Sequence, residues 1–109
     1  MTNSISRDDL VGKLGGAGRV ALVEALGPGY YADAHLPGAI NIPPDQVDRL
    51  ARELLPDMAA EVVVYASAVS ENARIVAGRL RQLGYERIAI YAGGKEDWVE
   101  QGLPVEREA

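Results

Sequence analysis

An α/β fold, with a mostly parallel sheet flanked by helices on both faces, follows from three observations. Apolar runs of strand length recur at Arg19 to Leu26, Glu61 to Ala66 and Arg87 to Tyr91. The segments around them carry apolar residues at helical spacing, bounded by cap and stop residues. Strand and helix therefore alternate, and such alternation builds parallel sheets whose right-handed crossovers lay helices on both faces. The 109 residues suit one domain spanning the whole chain, large enough to bury about two-thirds of the surface its unfolded form exposes. The sequence shows no internal repeat, low-complexity tract or linker.

The first helix begins after Ser6, which is placed to cap it. Asp9 stands at the third helical position as in a capping box, Leu10 and Leu14 share a face, and Gly15 and Gly16 end the helix. Residues 19–26, RVALVEAL, are mostly apolar and read as a strand buried on both faces. Residues 27–43, GPGYYADAHLPGAINIP, mix turn formers with scattered apolar residues and read as a long structured connection rather than a regular element. From Pro44, the positions Val47, Leu50, Ala51 and Leu54 follow helical spacing, with Asp45 near the start and Pro56 as the stop. Three valines and a tyrosine make the second strand. In the next helix, about 72–83, Ala73, Val76, Ala77, Leu80 and Leu83 form one face and Arg74, Arg81 and Gln82 fall largely on the other, with Gly84 as the stop. Ile88 and Ile90 alternate with Ala89 in the third strand. Gly93 and Gly94 then turn the chain into a short helix containing Trp98, closed by Gly102 and Pro104.

Composition narrows the function. Hydrophobic residues are 48% and charged residues 25%, the usage of a packed globular chain. A net charge of −5 disfavours nucleic acid and anionic membrane surfaces, which need clustered Lys and Arg. No apolar run has the length of a spanning helix, and the N-terminus MTNSISRDD lacks the basic and apolar regions of a signal peptide. A soluble, cytoplasmic protein is expected. The sequence has no cysteine and one histidine. That removes disulfides and thiol nucleophiles and argues against zinc, so neither a metal nor a cofactor is expected.

Chemistry is expected at Val62 to Asn72, VVVYASAVSEN, where a strand runs directly into a helix. The first N–H groups of a helix have no partner within it and favour negative charge, so Ala66, Ser67, Ala68, Val69, Ser70, Glu71 and Asn72 form a candidate anion-binding loop. The ligand expected there is a small anion or a protein partner.

Two motifs flank this loop. HLPGAINIP, His35 to Pro43, with Tyr31 and Ala34 ahead of it, resembles the first signature of rhodanese-like domains, an aromatic residue followed closely by GHIPGAINIP. YAGGKEDWVEQGLPVE, Tyr91 to Glu106, resembles the second, a glycine pair, a tryptophan four residues on and a GLPV tail. The resemblance covers nearly the whole chain. It implies a five-stranded, mostly parallel sheet with the active loop at the carboxyl end of the central strand. It also implies sulfur transfer through a loop cysteine that carries a persulfide.

The departures bear on function. Aligning on the strand that ends at Tyr65 puts Ala66 in the cysteine's place and lengthens the loop by one residue; counting back from Gly84 with a six-residue loop puts Ser67 there. Where the family's first strand ends in Asp-x-Arg, this chain has Glu24, Ala25 and Leu26, which puts the bracing ion pair in doubt. Ser67 has a hydroxyl but no evident base. His35 is better read as fixing its connection than as a base, Glu71 as solvated, Arg74 as surface with a secondary role toward an anion, and Trp98 as core or a wall under the glycine turn. Three readings result: a rhodanese-like binding or regulatory module without sulfur chemistry, a sulfurtransferase whose cysteine was replaced at Ala66 or Ser67, and a relative of phosphatases and arsenate reductases, which use a one-residue-longer loop.

Overall fold

A computed structural model describes residues 3–16 and 20–108. The elements in chain order are β1 (Asn3–Ile5), α1 (Arg7–Gly15), β2 (Val20–Glu24), α2 (Pro28–Asp33), β3 (Ile40–Asn41), α3 (Val47–Leu54, entered through a 3-10 turn at Pro44–Gln46), β4 (Glu61–Tyr65), α4 (Asn72–Gln82), β5 (Ile88–Tyr91) and α5 (Gly94–Glu100). The five strands pair in the order β1-β5-β4-β2-β3, every pairing parallel. Arg19, where the first expected strand begins, lies outside the described residues.

Local rules explain most of these elements. Ser6 caps α1 by accepting the Asp9 N–H at 3.1 Å. In β4 the side chains alternate between the two faces of the sheet. Val62 and Val64 join a core with Val47, Ala51, Val76, Ala77 and Leu80 of α3 and α4. Val63 and Tyr65 join a second core with Leu10 of α1 and Trp98 of α5. Both faces are therefore covered by helix, which is why the strand is apolar throughout rather than alternating.

The connection at residues 27–43 differs from its expected form, because it contains both α2 and the edge strand β3. Pro28 occupies the first helical turn, where its missing N–H is not needed and its fixed φ favours helix, so a segment rich in turn residues still nucleates one. The two signature motifs meet in space. His35 and Glu106 exchange backbone hydrogen bonds of 2.9 and 2.8 Å as an antiparallel bridge, and the Gly38 N–H donates to Glu106 Oε1 at 2.9 Å.

Candidate functional site

Because β2, β4 and β5 are parallel, their carboxyl ends open at one edge of the sheet, where an open α/β fold places its ligands. Tyr65 ends β4 and Asn72 begins α4, leaving the six residues from Ala66 to Glu71 between them.

Ala66 is 1% exposed, and the Lys95 N–H donates to its carbonyl at 2.9 Å. The loop folds back on itself after that. The Ser70 N–H donates to the Ser67 carbonyl at 3.1 Å, and the Asn72 N–H donates to Ser70 Oγ at 3.0 Å. Gly94 presses against this backbone from α5. Its φ is +70°, and a Cβ built on it would lie 2.6 Å from the Ala66 carbonyl oxygen and 2.8 Å from the Ala68 nitrogen. Only glycine suits both the conformation and the approach.

A carboxylate already sits at the loop. Glu96 accepts the Ala68 N–H at 3.0 Å through Oε1 and the Ser67 hydroxyl at 2.7 Å through Oε2. Partial burial works against ionisation of Glu96, yet the bonds from Ser67 and Ala68 outweigh it and hold the carboxyl below its ordinary range. A carboxylate so held is a weaker base toward the Ser67 hydroxyl than a free one.

Beneath the loop lies a buried ionic group. Glu24, wholly out of solvent at the end of β2, meets Lys95 Nζ at 3.0 Å and accepts the Tyr65 hydroxyl at 2.7 Å. Lys95 also donates to the Tyr30 carbonyl at 2.9 Å. The doubt over the bracing ion pair is answered by this lysine, which follows the glycine pair and supplies the cation that position 26 lacks. Burial, then the nearby Glu24 charge, push the Tyr65 phenol far above its ordinary value.

The supporting residues named from sequence divide. Arg74 borders the small hollow at the loop, with a 76% exposed side chain 3.8 Å from Glu71. His35 and Trp98 do not line that hollow. The His35 ring stacks on Tyr31 at 3.8 Å with Nδ1 2.7 Å from the Tyr31 carbonyl, and Trp98 is 3% exposed with its indole N–H on the Pro104 carbonyl at 2.7 Å. Both hold the fold around the site. Sequence reasoning placed Glu24 where the family carries an acid but missed its partner Lys95, and missed Glu96. One signal for Lys95 was available, since an acidic residue inside the buried run VALVEAL requires a buried partner. Beside the loop, α2 and α5 enclose a groove of about 700 Å³. Among the described residues no helix is long and apolar enough to cross a membrane.

Comparison with known proteins agrees with this geometry. The family model for the rhodanese-like domain matches residues 6–101. A sulfurtransferase of Allochromatium vinosum is 29% identical over 105 residues, covering 96% of this chain and 95% of that protein. Among solved structures, thiosulfate sulfurtransferase from Pseudomonas aeruginosa superposes with a TM-score of 0.87 at 24% identity over 98% of this chain, which spans 20% of that protein. A human single-domain sulfurtransferase gives a TM-score of 0.77 at 22% identity, covering 93% of this chain and 98% of that one.

Proposed function

Since the chain belongs to the rhodanese-like domain family yet has no cysteine, we propose that it is a non-catalytic binding or regulatory module built on the sulfurtransferase fold. The observation that carries this reading is the carboxylate of Glu96 on the Ala68 N–H and the Ser67 hydroxyl. The donors that would cradle a substrate anion are engaged by the protein's own negative charge. A small anion at the loop must displace that carboxylate, so it binds weakly, and a protein partner is the better ligand. Ala66, first after the strand and buried, takes the nucleophile's place with a methyl group.

One observation favours the reading of a disabled enzyme beside it. Ala66 borders a hollow of about 130 Å³ inside the loop, room for a thiol, above a Glu24–Lys95 pair that remains intact. Both readings are tested by thiocyanate formation from thiosulfate and cyanide, run on the unaltered protein, Ala66→Cys and Ser67→Cys. No turnover is expected from the unaltered protein, and clear turnover there overturns the proposal. Activity gained by Ala66→Cys favours the disabled enzyme; two folded but inactive thiol variants favour the binding module.

A further inference from the structure

We propose that the groove between α2 and α5 binds an arginine side chain presented by an extended segment of a partner protein. This rests on the reading of the domain as a binding module and names the chemistry of its partner. Three carboxylates line the groove: Asp33 at the end of α2, and Glu96 and Glu100, four residues apart and so on one face of α5. Lys95, the one cation among the described residues lining it, is committed to Glu24 at 3.0 Å and to the Tyr30 carbonyl at 2.9 Å. The net field in the groove is negative, the reverse of what a thiosulfate-like anion requires.

Ser67 and Asn72 close the groove on the loop side, and the rest of the wall is apolar and open to solvent. Tyr30 is 68% and Val99 51% exposed, and both border the groove with Leu26. A basic ligand gains from both kinds of surface at once. A guanidinium stacks flat on an aromatic ring while its edge donates to carboxylates, whereas an ammonium offers only a compact, strongly hydrated charge. The combination of an exposed tyrosine with flanking acids therefore selects arginine over lysine. The volume of about 700 Å³ exceeds one such side chain and admits its neighbours along an extended segment.

The test is fluorescence anisotropy at low salt with a fluorescein-labelled Gly-Ser-Arg-Gly-Arg-Ser peptide, and with the same peptide carrying Lys or Glu in place of Arg. Saturable binding of the arginine peptide is expected, weaker binding of the lysine peptide and none of the glutamate peptide. Asp33→Asn with Glu100→Gln, which changes the net charge by as much as one charge reversal, is expected to weaken the arginine peptide about tenfold or more, and Tyr30→Ala to narrow its advantage over lysine. Glu53→Lys, an exposed charge on α3, is the control for net charge. The inference is overturned if the arginine peptide does not saturate up to about 1 mM, if Glu53→Lys weakens it as much as the groove variants, or if sedimentation shows that a second copy of the chain fills the groove. Sulfur transfer by the unaltered protein would instead overturn the module reading, so the two failures are distinct.

Discussion

Lys95 Nζ lies 3.0 Å from Glu24 Oε1 and 3.1 Å from Oε2, beneath the loop at the carboxyl end of the sheet. With Glu24 at 0% exposure, the pair costs desolvation on both sides, and its worth lies in the penalty for breaking it. Lys95→Met leaves a buried carboxylate without its cation. It is expected to destabilise the protein by about 3–5 kcal/mol in urea unfolding. Glu24→Gln combined with Lys95→Met removes both charges and should recover most of that loss. A double variant as unstable as the single one would show that shape, and not charge, is what Lys95 supplies.

Gly94 sets the distance between α5 and the loop. A methyl group at this position meets the Ala66 carbonyl oxygen at 2.6 Å, at a φ of +70° that side chains rarely adopt. Gly94→Ala should therefore cost about 1–3 kcal/mol and displace the loop from Glu96. Amide shifts of Ser67 and Ala68 by NMR report that displacement. Wild-type shifts with unchanged stability would mean that the loop yields without consequence.

Stability should fall at both ends of the pH scale, and Tyr91 links the two limbs. Its phenol is buried and donates to Asp97 Oδ2 at 2.5 Å. Burial first, then the bond to Asp97, raise the Tyr91 phenol well above 10.0. Folding thus favours the neutral phenol, so its contribution is complete below about pH 10 and is lost as the pH rises toward the folded value. Asp97 behaves oppositely. The bond from Tyr91, and then that from Arg7 against some burial, hold its carboxyl below 3.8. Its contribution is present above about pH 4 and is lost as the pH falls through the depressed folded value. Urea midpoints of Tyr91→Phe across pH should show a shallower fall in alkali and a smaller fall in acid, since Asp97 loses the bond that does most to depress it. Unchanged limbs would assign the pH dependence elsewhere.

What the sequence disclosed depended on the range of the interaction. The cap at Ser6 and the valine run of β4 obey rules that act within a few residues, and both were legible. The edge strands β1 and β3 were not read from the residues, since three and two residues carry no usable period and are ordered by the neighbouring strand. Pro28 hid α2 by looking like a turn. At the site, the strand-to-helix loop was evident because its signal is local. The bond from Ser67 to Glu96 spans 29 residues and that from Lys95 to Glu24 spans 71. An acidic residue on a short surface helix looks the same whether it faces solvent or a loop. Only Glu24 announced itself, by being charged where everything around it was apolar.

Glu96 acts as the loop's internal anion, and its removal should expose the donors it holds. Glu96→Ala frees the Ala68 N–H and the Ser67 hydroxyl, now bonded at 3.0 and 2.7 Å, and removes a negative charge from the path of an incoming anion. A hydrogen bond to a charged group contributes about 1.5–3 kcal/mol, so sulfate and thiosulfate should bind about tenfold or more tightly than to the unaltered protein. Titration followed at the Ala68 amide measures the change. Glu100→Ala, four residues along the same helix, removes a similar charge while leaving both donors engaged, and should gain much less. Equal gains in the two variants would mean that the loop repels anions through net charge alone; a gain confined to Glu96→Ala would mean that the protein's own carboxylate competes for the donors.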